Sequence, residues 1–147
     1  MDRILDNART GPLYLRRPEI AAMVAKAILY RQEVMGHYEL HAYVIMANHV
    51  HLLITPCVEV SRLMQSLKRF TAREGNRLLG LTGQPFWQDE SYDRLVRDQE
   101  EFQRIIRYIE MNPVKAGLAA KPEDFPWSSA GPIDNRPAGF QPAPQTD

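Results

Sequence analysis

Four residues have types and spacings that could act together on a phosphate: His49, His51, Tyr108 and Asn112. His49 and His51 are separated by one residue in a segment that reads as a strand. Strand side chains alternate, so both point to one face, roughly 7 Å apart along the chain. Imidazoles so placed can grip one metal ion through neutral ring nitrogens. His-x-His alone is a weak signal, and two structural histidines on a half-exposed strand fit it equally well. Tyr108 and Asn112 are one helical turn apart near the end of an amphipathic segment, hence on one face. A tyrosine can attack phosphorus once its proton is lost, and an amide oxygen is a hard ligand. Taken singly, a helix tyrosine is more often a packing residue, and an Asn before Pro is a common helix stop.

A second group is cationic. Between Ser61 and Leu79, Arg62, Lys68, Arg69, Arg73 and Arg77 face a single acid, Glu74. Gln65, Arg69, Arg73 and Arg77 step by four, opposite the apolar stripe Val60, Leu63, Met64, Leu67, Phe70. Such a stripe could follow a phosphate backbone, although a solvated helix face is the commoner outcome. Trp87, with Phe86 and Tyr92, could stack bases; aromatics in a small domain are more often core. His37 and His41 read as structural, with His41 on the face of Tyr43. The zero formal net charge does not favour a nucleic-acid partner. It hides a basic middle and an acidic end, with Glu123, Asp124, Asp134 and Asp147 against Lys121 and Arg136.

The elements that must position these residues follow from periodicity. Residues 1–17 read as irregular, with a break at Gly11-Pro12. Ile20, Val24, Ala27 and Ile28 predict a helix over 18–34, with Pro18 in its first turn. Alternation over 38–46 and 49–55 predicts two strands around Ala47-Asn48, where Asn suits left-handed turn geometry. A helix is expected over 60–79, capped by Ser61. Phe86-Trp87 and 92–96 read as one interrupted strand. Asp98 with Glu101 has the pattern of a capping box opening another helix. Pro113 should end that helix near Met111.

This order gives an α+β chain. With one strand in front it would be the ferredoxin-like split βαβ sheet, with helices on one face and a C-terminal tyrosine-bearing helix. No such leading strand is evident in the sequence. Residues 1–130 are expected to form the domain and 131–147 a disordered tail. No apolar run is long enough to cross a membrane, no stretch resembles a secretory signal, and the single Cys57 allows no intrachain disulfide. A cytoplasmic protein is expected. There is no phosphate-cradling glycine loop, Ser-His-Asp ordering or cysteine zinc motif.

The segment LHAYVIMANHVHLLITP (40–56) resembles the signature of the single-tyrosine transposases, in particular the REP-associated ones. Their hallmark is His-hydrophobic-His after a Met-Pro-Asn turn. RYIEMNPVKAGL (107–118) resembles the tyrosine helix of that family, and LMQSLKRFTAREGNRLLG, FWQDESYDRLVRDQEEF and FPWSSA fall in the same order. The resemblance implies His49, His51 and Asn112 as ligands of Mg²⁺ or Mn²⁺, and Tyr108 as nucleophile. It implies nicking and joining of single-stranded or hairpin DNA through a 5′-phosphotyrosine, by a monomer or homodimer. Arg62, Lys68, Arg69, Arg73, Arg77, Trp87, Arg107 and Lys115 are the expected DNA contacts. The chain departs from the pattern twice: Ala47 stands where relatives have proline, and the first strand is not visible. The second departure raises an alternative, a catalytically impaired DNA-binding remnant.

Overall fold

Arg3–Asn7, read from the sequence as irregular, is a β-strand (β1) in the computed structural model. The structure describes residues 1–7, 13–87 and 91–131, so the Gly11-Pro12 break and the tail from 132 lie outside the described residues. β1 escapes pattern reading for a physical reason. It is short, and its two apolar residues are adjacent because each faces a different core. Leu5 packs on one side of the sheet and Ile4 on the other. A strand buried on both faces loses the polar–apolar alternation that marks a half-exposed one.

With β1 in place the chain continues through α1 (Pro18–Glu33), β2 (Tyr38–Ile45), β3 (Val50–Pro56), α2 (Val60–Leu79), β4 (Ser91–Leu95) and α3 (Gln99–Lys115). The sheet order is β2-β3-β1-β4, with every neighbouring pair antiparallel. This is the split βαβ arrangement with its first strand present and central. The helices, however, occupy both faces. Val50, Leu52 and Ile54 of β3 join Ile20, Val24 and Ile28 of α1 and Leu63 and Leu67 of α2. Leu53, with Ala42 and Val44 of β2, instead meets Ile105 and Ile109 of α3. The sheet is therefore packed between α1 and α2 on one side and α3 on the other.

Four local expectations are corrected. α3 does not stop near Met111 but runs through Pro113 to Lys115. Pro113 is buried, and the last turn is closed beyond it: Gly117 N–H donates to Val114 O and Leu118 N–H to Pro113 O, with Gly117 at φ 76°. That bonding closes the helix as a Schellman motif. The N-cap of α2 is Glu59 rather than Ser61, and no side chain caps it. Phe86-Trp87 is not strand. Phe86 enters the α1/α2 core, stacked on Tyr14 at 5.5 Å, and Trp87 sits edge-on to it. Finally, β2 carries a register shift between Leu40 and Ala42, a β-bulge. It turns His41 away from the face of Tyr43 and onto Phe102 of α3, edge-on at 5.1 Å.

The outer edge of β2 is closed by the chain after α3. Ile45 N–H donates to Trp127 O, Ser129 N–H donates to Tyr43 O, and Val44 bridges to Ser128. FPWSSA thus works as an added edge pairing, which removes an exposed ladder.

Candidate active site

The β2–β3 hairpin fixes the two histidines. Met46 N–H donates to His49 O, leaving Ala47-Asn48 as the two-residue loop. Asn48 does not take the left-handed geometry expected of it, since no described non-glycine residue has positive φ. The loop is held from outside: Leu15 N–H, in the 3₁₀ turn Tyr14–Arg16, donates to Ala47 O. The carbonyl at the position usually occupied by proline thus anchors the turn.

His49 lies just before β3 and is half-buried, while His51 within β3 is fully buried. Their rings meet edge to face, with centroids 4.9 Å apart. The half-exposed strand that the spacing alone allowed is not what forms: α3 covers that face. Tyr108 of α3 packs over His51 at 5.5 Å between ring centroids. Tyr108 itself is half-buried, as its offset from Ile105 and Ile109 predicts. Because α3 continues past Pro113, Asn112 lies within the helix, one turn beyond Tyr108 and half-buried. The fold therefore brings His49, His51 and Tyr108 together, with Asn112 on the same helix face as the tyrosine.

His49 Nδ1 lies 2.9 Å from Asn48 Oδ1. An amide oxygen can only accept, so Nδ1 is the donor in this contact, and in the neutral ring Nε2 is then the atom with the lone pair. This is the tautomer a metal-ligating imidazole needs, set by a neighbouring hydrogen bond. Sequence reasoning treated Asn48 as a turn former and missed this role. Among the described residues there is no cluster of three His, Cys, Asp or Glu side chains. Asn112, a residue type outside that set, is a candidate for a third ligand. Two imidazole nitrogens and one amide oxygen make a borderline donor set open to several divalent ions.

What seats the tyrosine helix is visible at both ends. At its start, Asp98 accepts Glu101 N–H at 2.8 Å. The reciprocal half of the expected capping box does not form. The Glu101 carboxylate accepts from Arg97 N–H at 3.0 Å, and from Arg94 and Arg97 guanidinium groups at 2.8 Å each. These bonds, the Arg97 backbone first, hold its carboxyl down to about 2 against burial. Nearer the site, Ser129 Oγ donates to Glu110 Oε2 at 2.9 Å and accepts from Tyr43 N–H at 3.1 Å. The edge segment thereby ties α3 to β2, two residues past the tyrosine.

The expected DNA contacts divide between the two faces. Arg107 and Lys115 are exposed on α3, Arg107 next to Tyr108 in the chain and Lys115 about two turns beyond it. Arg104, which sequence reasoning overlooked, is exposed one turn before the tyrosine. Arg62, Lys68, Arg69, Arg73 and Arg77 lie on α2, across the sheet from Tyr108. Arg77 is paired with Glu74 at 2.8 Å. Trp87 is also on that far side, its indole N–H donating to Thr71 Oγ1 at 2.8 Å.

The site is thus a four-stranded sheet whose His-x-His hairpin lies under a tyrosine-bearing helix. Residues 17–112 match the family model described as "Transposase IS200 like", and the chain belongs to that family. It is 26% identical over 92 residues to the REP-associated tyrosine transposase of Escherichia coli (strain K12), an alignment covering 63% of this chain and 54% of that protein. The chain thus spans about half the length of that relative. Its fold is also that of a REP-associated tyrosine transposase solved bound to a REP hairpin, with TM-score 0.64 and 21% identity over 87% of this chain and 74% of the other. Among the described residues no helix is long and apolar enough to cross a membrane.

Proposed function

We propose that this chain is a metal-dependent enzyme that nicks and rejoins single-stranded DNA beside a hairpin, acting in the cytoplasm. The observation that carries the reading is Tyr108 set edge-on against His51, which is itself against His49. His49, His51 and Asn112 would hold the divalent ion, Mg²⁺ or Mn²⁺. Such an ion supplies charge stabilisation at a phosphoryl oxygen and orients the group. The Tyr108 phenol gives its proton to solvent and its oxygen bonds to phosphorus. The P–O3′ bond breaks, and the leaving oxygen takes a proton to become a free 3′ hydroxyl. The 5′ phosphate stays on the tyrosine. Attack by the 3′ hydroxyl of another strand reverses these steps and restores the phenol, so no nucleotide cofactor is consumed. Asn48 keeps the His49 tautomer, and the Ser129–Glu110 contact keeps α3 over the histidines. Positioning of this kind is most of what phosphoryl transfer asks of a protein.

The remnant reading rested on a missing first strand. β1 is present between β3 and β4, so that ground is gone. The test is incubation with a labelled DNA hairpin carrying single-stranded flanks, with Mn²⁺ or with EDTA. A denaturant-stable protein–DNA adduct in Mn²⁺ that vanishes in EDTA is expected. Hairpin binding with no adduct in Mn²⁺ would return the chain to the class of binding remnants.

A further inference from the structure

At the end of the sheet remote from His49, side chains from β1, β2 and β3 meet beneath α3. β3 ends there, and β1 begins there. The bulge in β2 turns two consecutive residues, His41 and Ala42, toward α3. His41 Nε2 lies 2.6 Å from Thr55 Oγ1 of β3. The Thr55 hydroxyl in turn donates to the carboxylate of Asp2, the residue before β1. Asp2 Oδ1 and His41 Nε2 are 3.8 Å apart. The main-chain oxygen of Asp2 accepts Val96 N–H at 2.9 Å, and Asp98, two residues on, caps α3. Asp2, His41 and Thr55 are all half-buried, and none has a part in the chemistry above.

A hydroxyl has one proton to give. With the Thr55 proton on Asp2, the Thr55 oxygen accepts from His41, so Nε2 is the donor. The relay has one polarity, imidazole to hydroxyl to carboxylate, and it restrains rotation of the His41 ring. Phe102 rests on that ring, edge-on at 5.1 Å between centroids. Phe102 is the first apolar residue of α3 and packs against the core that holds Ile105 and Ile109. Tyr108 follows six residues later, about 9 Å along the helix axis. A tilt of α3 at Phe102 is therefore carried to the tyrosine. Ile105 and Ile109 press the middle of the helix onto the sheet, but apolar contact has no direction. Hydrogen bonds do. The Ser129–Glu110 contact supplies one directional support beyond Tyr108, and the relay supplies one before it. We propose that His41 is a positioning residue for the nicking step. Held by Thr55 and Asp2, its ring sets the seat of Phe102 and, through α3, the placement of Tyr108 over His51. The proposal rests on the reading of Tyr108 as the nucleophile.

The test uses the full chain and a labelled hairpin with single-stranded flanks. Adduct formation is timed in Mn²⁺ at saturating hairpin, and affinity is read by fluorescence anisotropy in EDTA. Thr55→Val nearly keeps the side-chain shape and removes the hydroxyl. A misplacement of about 1 Å can cost about 10²-fold in rate, and a smaller shift of α3 should slow adduct formation about five- to tenfold. Hairpin affinity should not change, and Thr55→Ser should restore the rate. A proton resonance from His41 Nε2–H should be present in wild type and Thr55→Ser and lost in Thr55→Val. A wild-type rate in Thr55→Val with that resonance gone would overturn the proposal. So would rate and affinity falling together, since the relay would then hold the fold and not the tyrosine. If Thr55→Val does not melt cooperatively, Phe102→Leu replaces it. That variant keeps an apolar side chain on the sheet, takes the ring off His41, and should show the same split between rate and affinity. The nicking reading is scored separately, because no adduct in wild type contradicts nicking alone. The seat is then read without chemistry, from the nuclear Overhauser contact between the Tyr108 and His51 rings. That contact should weaken in Thr55→Val; an unchanged contact contradicts the relay alone.

Discussion

Ile109→Ala probes how the nucleophile is held. Ile109 is fully buried one residue after Tyr108, against Ala42, Val44 and Leu53. Removing its outer carbons loses their transfer from water and leaves a cavity, which costs about 2–5 kcal/mol in general. Here the upper half of that range applies, about 3–5 kcal/mol. The facing strands are locked in the β2–β3 ladder, and Ala42 is too small to fill the gap. Ile109→Val should cost only about 0.5–1.5 kcal/mol. Since domains of this size are stable by about 5–15 kcal/mol, the Ala variant should still fold. Urea denaturation reads both values, with the slope unchanged from wild type. In buffer without urea, adduct formation should fall at least tenfold, because a misplacement of about 1 Å can cost 10²-fold. A loss below about 1 kcal/mol, outside the range for such a truncation, would refute the seating of α3 described above.

Other expectations concern the supports of the site. Ser129→Ala should lower the rate of adduct formation several-fold with hairpin affinity unchanged, and Ser129→Thr should restore it; a weakened affinity would mean the contact is not positional. The Glu101 carboxyl titrates near 2 in the fold against an ordinary 4.5. Its contribution to stability is complete above pH 4.5 and drains away as pH falls toward 2. Thermal melts should show wild type losing stability through that window more steeply than Glu101→Gln; parallel curves would contradict the Arg94, Arg97 and Arg104 surroundings. Gly75→Ala would gain about 1 kcal/mol of helix propensity but place a Cβ 2.5 Å from Phe86 Cε2. That ring is wedged between Tyr14 and Trp87, so overpacking at about 1–3 kcal/mol should win, and a raised Tm would contradict the packing.

The helices were legible because each has one apolar face, and the hairpin because two long runs of branched and aromatic residues flank Ala47-Asn48; α2 falls at 60–79 in both sequence and structure. The candidate residues were legible as types, but only the fold shows that α3 crosses the sheet to lay Tyr108 on His51. Two kinds of feature stayed hidden. Where burial is two-sided or tertiary contacts override local preference, pattern fails: β1 has no alternation, and Pro113 sits inside a helix that its buried ring and Gly117 cap sustain. Where function lies in a hydrogen bond or a convergence of distant residues, spacing says nothing. Asn48 read as a turn residue until its amide was seen on His49. Arg31 belongs to no pattern in the sequence, and only the fold shows Phe70 and Ser66 of α2 close around it.

The account stands most directly on the identity of the nucleophile. Wild type and Tyr108→Phe should be incubated with the flanked hairpin and Mn²⁺, and the adduct mapped by mass spectrometry. Wild type should carry a 5′ phosphate on Tyr108 and release a free 3′ hydroxyl, while the variant binds the hairpin equally well and forms no adduct. An adduct that persists in Tyr108→Phe, or maps to another residue, would contradict the account.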